Sequence, residues 1–307
     1  MESAIQKDIQ LAPLTTFKIG GAAKYFVDVM TEDDVRAAIH WAHGKNIKFV
    51  LLAGGSNVLI PDEGFDGLVI HVSGGGYSFA DNELAADAGC DLLTLIRETG
   101  RRGFGGWEKI AGIPGTVGGA VRGNAGAFGS EIKDFVHMVK AINTNTGTMR
   151  DFTNAECGFQ YRDSFFKQHP KWFVARAYVR LKKVNPAASA NLVEETIVER
   201  ERRHLQNVRA AGSYFMNPQA SPEIVAMFER EKQVKSRESR VPAGWLIEKA
   251  GMKGATVGGA IASLQHPNYI VNQGNATAGD VKALAQKIKI AVMSQFGIPV
   301  HEEAAIL

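Results

Sequence analysis

The sequence predicts an α+β fold of more than one domain, on three observations. Its 307 residues exceed the roughly 100–200 residues of a typical domain and suit two or three. Capped helical patterns and short β-branched runs both occur, the strand patterns being densest in residues 135–182. Hydrophobic residues make up 45% of the chain and charged residues 22%, a globular balance that excludes wholesale disorder. Glycine departs from the ordinary: it occurs 33 times against 10 prolines, about 11% where about 7% is usual, so the glycines must be placed individually.

Thr31 and Asp34 have capping-box spacing, Val35 and Ile39 lie one turn apart and Gly44 supplies a stop, which predicts a helix from Thr31 to His43. Ile47–Ala53 reads as a strand ending at the polar turn Gly54-Gly55-Ser56-Asn57. Further strand-like segments follow in residues 58–72, including Gly67–Val72, and Ser73-Gly74-Gly75-Gly76 marks a lobe boundary. Asp91 caps a helix through Thr99, with Leu92, Leu95 and Ile96 on one face and Gly100 past its end. Ten of the 33 glycines then fall between Gly103 and Gly129, a segment that must turn repeatedly or lie against another backbone or a ligand. Val136–Ile142, Met149–Phe152 and Phe173–Leu181 read as strands, with Asn145-Thr146-Gly147 as a turn. Pro186–Asn191 reads as a linker and Leu192–His204 as a charged helix with a solvated face. Ser221-Pro222-Glu223 starts another helix. Thr277 with Asp280 starts the last, whose stripe of Val281, Leu284, Ala285, Ile288 and Val292 ends at Gly297. The boundaries give lobes at 1–72 and 73–182 and a mixed α and β part at 183–307.

Lys plus Arg total 35 against 32 Asp plus Glu, a formal charge of +3 that is too small to argue for nucleic-acid or membrane attraction. Met1–Gln10 lacks the apolar core of a signal peptide, and no stretch reaches the roughly 18 apolar residues of a membrane span; a cytosolic protein is expected. Cys90 and Cys157 are far apart and outside any metal-ligand spacing, so both are expected to be buried thiols, with no metal.

Neither a P-loop nor a Gly-x-Gly-x-x-Gly fingerprint occurs. Gly112, Gly115 and Gly118 are spaced by three, as are Gly123, Gly126 and Gly129. Such a chain can aim backbone N–H groups at a diphosphate. Tight turns and close packing would give the same spacing, although Thr116 and Asn124 add polar groups within the frame. Gly54-Gly55-Ser56-Asn57 is a second phosphate candidate, and an ordinary hairpin turn would look the same. Val117-Gly118-Gly119-Ala120 recurs as Val257-Gly258-Gly259-Ala260 with different flanks, which reads as coincidence. Arg162 stands beside Tyr161 and near Phe159, Phe165 and Phe166; a guanidinium suits a carboxylate or a developing enolate, and a surface pair with Asp163 is the alternative. Ser213 follows Gly212, with Asn217 four residues on, and without a Gly-x-Ser-x-Gly elbow a serine-hydrolase reading is poor. His266-Pro267-Asn268 precedes a strand, and Glu302-Glu303 by itself reads as a solvated acidic tail.

Taken in order, several segments resemble the UDP-N-acetylenolpyruvoylglucosamine reductases of peptidoglycan synthesis over nearly the whole chain. They are Leu14-Thr15-Thr16-Phe17-Lys18-Ile19-Gly20-Gly21, the 54–57 turn, residues 111–120, Tyr161-Arg162-Asp163-Ser164, Ala211-Gly212-Ser213, Ala243-Gly244-Trp245-Leu246-Ile247 and a closing glutamate. The length and the unbroken Gln160–Phe166 stretch look like the shorter subtype, which lacks an inserted tyrosine-bearing loop. The resemblance implies the vanillyl-alcohol-oxidase (PCMH) type of flavoprotein fold, with a two-lobed FAD-binding unit over about 16–182 and a substrate-binding domain from 183. It implies non-covalent FAD held by Gly54, Gly55, Ser56, Asn57, Ile113, Gly115, Thr116, Gly118, Gly119, Gly123 and Asn124. NADPH would be the hydride donor and UDP-N-acetylglucosamine enolpyruvate the substrate, reduced to UDP-N-acetylmuramate, with no protein partner implied.

On the same resemblance Arg162 and Glu303 stabilise the enolic intermediate, Ser213 donates the proton, and Tyr161, Asn217, His266 and Asn268 line the substrate pocket. A glutamate can stabilise an enolate only if protonated or bridged by a proton, and a serine needs hydrogen-bonded neighbours to act as an acid. One pocket must accept NADPH and then the sugar nucleotide. Three departures from the family pattern stand out. Met216 replaces a usual Lys, Gly123 a frequent Met, and Glu302 and Ala304 flank Glu303 in place of proline and valine, with Glu302 as the alternative carboxylate. The competing expectations are an FAD-binding protein that has lost reductase activity and an oxidase with another substrate.

Overall fold

The computed structural model describes residues 1–203 and 208–307; His204, the end of the predicted charged helix, lies outside them. The chain forms two compact units. One comprises Met1–Ile9, Ala23–Gly55 and Asp66–Arg203, the other Gln10–Ala22, Ser56–Phe65 and His204–Leu307.

The first unit is built on two sheets. A four-stranded sheet has the order Gln6–Gln10, Ala22–Val29, Phe65–Val72, Phe49–Leu52, the last two strands running parallel with Phe49 opposite Leu68. Helix Glu32–Gly44 buries Val35, Ala38, Ile39 and Ala42 against Val27, Val29, Leu68 and Ile70 of this sheet. It starts as predicted: the Thr31 hydroxyl accepts the Asp34 N–H, and the Asp34 carboxylate accepts the Thr31 N–H, both at 3.1 Å. Its end differs. Gly44 is the last helical residue, and the chain leaves through Asn46 at φ 53°, so an asparagine takes the left-handed position expected of the glycine.

The five-stranded sheet is antiparallel throughout, in the order Met149–Thr153, Val136–Asn143, Trp172–Arg180, Glu83–Asp87, Tyr77–Ala80. The region predicted to be strand-rich forms its first three strands, and helices Leu92–Arg101 and Val117–Gly123 share its core. Asp91 Oδ1 caps the first of these helices by accepting the Thr94 N–H at 2.7 Å. Gly100 does not end that helix. It is buried inside it, where a Cβ would lie 2.7 Å from Ser189 Oγ, and Gly103 at φ 80° makes the turn instead. The predicted linker is also helical: helix Pro186–Arg203 includes it. Proline at the first helical position and the propensity of alanine permit this, and burial of Ser189 and Val193 in the unit selects it.

In the second unit helix Ala278–Phe296 buries the predicted stripe of Val281, Leu284, Ala285, Ile288 and Val292, opened by the Thr277–Asp280 capping box and closed by Gly297 at φ 65°. These residues share one core with helix Ala243–Lys249 and with the antiparallel sheet Thr256–Val257, Ala260–Ala262, Ile270–Asn272. The two Val-Gly-Gly-Ala segments differ: one is helical, the other turns a hairpin through Gly258 at φ 50°. The C-terminal strand Ala305–Ile306 runs parallel to Val58–Leu59, which draws the last residues toward Asn57.

Both cysteines are buried, and burial pushes the Cys157 thiol up to about 12. Among the described residues no helix is long and apolar enough to cross a membrane, and no group of three or more His, Cys, Asp or Glu side chains could hold a metal.

Candidate active site

The first unit brings the two glycine turns together. A Cβ built on Gly54 would lie 3.4 Å from the Gly115 Cα and 3.7 Å from the Thr116 methyl. Gly55 at φ 58° and Gly115 at φ 123° both hold conformations that suit glycine. Thr116 caps helix Val117–Gly123, its hydroxyl accepting the Gly119 N–H at 3.4 Å. Beyond it the backbone is open: among the described residues, apart from chain neighbours and the helix's own backbone, a Cβ on Gly119 would meet only the Thr116 hydroxyl within 4 Å, and one on Gly123 nothing. Exposed backbone at Gly54 and Gly119 beside a hydroxyl is a surface that a large, flat, anionic cofactor can approach closely.

Two residues of the frame do a different job. The Gly118 N–H donates to the Ala88 carbonyl at 2.8 Å, and a Cβ there would lie 2.6 Å from the Ala88 Cβ. Gly118 is therefore needed for packing and has no N–H left for a ligand. Gly118→Ala is expected to destabilise the protein by about 1–3 kcal/mol through overpacking; an unchanged urea midpoint would contradict this close approach. Asn124 is buried at φ 42°. Its Nδ2 donates to the Gln160 carbonyl at 2.8 Å and to Glu131 at 3.1 Å, and its Oδ1 accepts the Lys133 N–H at 3.3 Å. The carboxamide is thus spent on joining the glycine helix to the turn that carries Arg162.

That turn is strained in a way that aims a side chain. Gln160 and Asp163 exchange backbone hydrogen bonds at 3.0 and 3.1 Å, and Arg162 between them sits at φ 56°. Lys167 Nζ donates to the Arg162 carbonyl at 2.8 Å, and Arg162 Nη2 donates to the Gly126 carbonyl at 2.9 Å. The guanidinium lies 5.5 Å from the centre of the Tyr161 ring. Asp163 accepts from Gln168 and from the Ser164 N–H.

In the second unit the C-terminal residues pair with the segment after Ser213. The Glu303 N–H donates to the Tyr214 carbonyl at 2.8 Å, Phe215 bridges Glu302, and the Met216 N–H donates to the His301 carbonyl at 2.9 Å. Asn268 clamps the other side: its carbonyl accepts the Tyr214 N–H at 2.7 Å, and its carboxamide both accepts from and donates to the Phe215 backbone at 2.9 Å. Ser213 is held directly before this double pairing, after Gly212 at φ 71°. Glu302 pairs with Lys289 Nζ at 2.5 Å. His266 packs edge-on to Tyr269 with ring centres 4.8 Å apart, and burial lowers its pKa, favouring the neutral ring. Asn217 Oδ1 accepts the Ala243 N–H at 2.9 Å at the start of helix Ala243–Lys249.

The sequence reading missed Lys167 and Lys289, the first positioning the Arg162 turn and the second engaging Glu302. Lys167 had a local signal, five residues beyond Arg162; Lys289 had none.

A model of the FAD binding domain matches residues 23–153, and one described as UDP-N-acetylenolpyruvoylglucosamine reductase, C-terminal domain, matches residues 203–307. The UDP-N-acetylenolpyruvoylglucosamine reductase of Solibacter usitatus is 34% identical over 98% of this chain and 96% of its own length. That of Heliobacterium modesticaldum is 36% identical over 95% and 87%. The crystal structure of the Thermus caldophilus reductase superposes with a TM-score of 0.77 at 30% identity, covering 98% of this chain and 99% of the other.

Proposed function

The chain belongs to the UDP-N-acetylenolpyruvoylglucosamine reductase family, and from that premise we propose that it reduces UDP-N-acetylglucosamine enolpyruvate with FAD and NADPH, in the cytoplasm, as a step of peptidoglycan precursor synthesis. The observation that carries the chemistry is the pairing of residues 301–303 with residues 214–216, which holds Glu303 against the segment that begins at Ser213.

FAD fits the open backbone at Gly54, Gly119 and Gly123, with Gly55, Ile113, Gly115 and Thr116 assigned to the same surface, Ser56 and Asn57 completing the turn and Gly118 and Asn124 framing it from within. The lobes at 1–72 and 73–182 would hold it, each having its own sheet, and the domain at 183–307 would bind substrate. When bound, the flavin supplies hydride to the enolpyruvyl double bond. Arg162, fixed by its left-handed turn, offers a guanidinium to the substrate carboxylate, where negative charge grows. Ser213 delivers the proton to the adjacent carbon, and Glu303 stabilises the enolic form, the neighbouring Glu302 being engaged by Lys289. Tyr161, Asn217, His266 and Asn268 are assigned to the substrate pocket. His266 acts as a neutral donor or acceptor, and Asn268 works through the backbone it clamps.

The test is NADPH oxidation by the flavin-loaded protein with and without the enolpyruvyl nucleotide. Substrate-dependent turnover is expected. A yellow protein that oxidises no NADPH in response to substrate would instead be a flavin-binding protein without reductase activity.

A further inference from the structure

The segment leading into the Gly115–Thr116 turn is anchored by buried polar contacts that the chemistry above does not use. Glu108 is 3% exposed, and Ser189, on helix Pro186–Arg203, is 4% exposed. The Ser189 hydroxyl donates to Glu108 Oε1 at 2.6 Å, and the Gly106 N–H donates to Oε2 at 2.8 Å. The space is cleared by glycines: a Cβ on Gly105 would lie 2.0 Å from Glu108 Oε1, and one on Gly100 2.7 Å from Ser189 Oγ. The adjoining Trp107, fully buried, donates from Nε1 to the Thr99 hydroxyl at 2.9 Å. Gly112 packs on the same long helix, with a Cβ falling 3.1 Å from Arg200 Cδ. Residues 105–112 are thereby tied to helix Leu92–Arg101 on one side and helix Pro186–Arg203 on the other. A carboxyl group this deeply buried is tolerated because its oxygens are matched to donors.

We propose that Glu108 is a positioning residue for the cofactor: with Ser189 it forms a buried latch that holds residues 105–116 in the shape that accepts flavin. The inference rests on residues 112–124 being flavin-binding surface. Both side chains are too buried to touch a ligand, so their influence passes through the backbone between Gly106 and Thr116. Without the latch that stretch samples more conformations, and binding must order it, which weakens affinity.

The experiment titrates full-length apoprotein with FAD, following the quenching of flavin fluorescence, for wild type, Glu108→Gln, Ser189→Ala and the double variant. Val139→Ala, a buried strand residue, serves as a stability control, and Tm is measured for every protein. Each latch variant is expected to raise the Kd for FAD about tenfold, and the double variant by less than the product of the two, since both alter the Ser189–Glu108 hydrogen bond. Turnover per bound flavin at saturating FAD should stay at the wild-type value. Val139→Ala should lower Tm while leaving the Kd within about twofold of wild type. A Kd unchanged in the latch variants overturns the latch. A Kd raised equally by Val139→Ala overturns it as well, by reducing it to general stability. Absence of FAD binding by the wild type overturns the flavin-site reading itself. Ser189→Ala, which removes a single hydroxyl, decides the matter if Glu108→Gln does not fold.

Discussion

Ser213→Ala is expected to slow reoxidation of the reduced protein by the enolpyruvyl nucleotide by about 10²–10⁴-fold, the usual worth of a positioned general acid, while reduction by NADPH proceeds at the wild-type rate. The split follows from the chemistry. Reduction of the flavin requires no proton at the substrate carbon, whereas saturation of the double bond does. The backbone around the serine is fixed: Gly212 turns the chain at φ 71°, and the next two residues are pinned by Asn268 and Glu303. Stopped-flow measurement of the two half-reactions separates them, and equal loss in both would remove Ser213 from the proton-donor role. Ser213→Cys, which keeps a proton, should recover part of the second half-reaction.

Glu303→Gln is expected to lower kcat by about 10²–10³-fold, the cost of removing one stabilising group from a developing oxyanion. Glu302→Gln should lose only the partly exposed contact with Lys289, about 1 kcal/mol or less of stability, with kcat within a few-fold of wild type. The contrast tests the choice between the two adjacent carboxylates directly. Steady-state kinetics of the two variants under the same conditions decide it, and the reverse ranking would move the catalytic role to Glu302.

Both expectations depend on a pairing with no trace in the local sequence. By itself Glu302-Glu303 resembles a solvated tail, and Ser213 a loop serine. The final strand runs beside Val58–Leu59 and the residues before it pair with 214–216, which brings the Glu303 backbone to the residue after Ser213. The family resemblance pointed to the same residues through ordered motifs. The reason these groups are held together appears only in the backbone hydrogen bonds.

The glycines show the same division. Their clustering was legible. Which glycine serves a ligand and which serves packing was not. Gly118 yields its N–H to Ala88, Gly100 admits Ser189 in place of ending a helix, and the left-handed exit after Gly44 falls to Asn46. The helix starting at Pro186 was hidden for a related reason, because alanine and serine between two polar runs look like a linker until the partner surface is known.

The sequence alone determined the elements whose signals are local. The Thr31–Asp34 and Thr277–Asp280 capping boxes, the apolar stripe of the last helix and the strand runs of residues 135–182 all depend on residues a turn or a pleat apart. Tertiary structure decided the contacts that join distant segments: Ser189 on Glu108, Asn124 on the Gln160 carbonyl, Asn268 on Phe215 and Glu303 on Tyr214. A hydrogen bond between remote residues leaves no periodicity in the chain, since its partner is set by how the sheets and helices pack and not by spacing along the sequence.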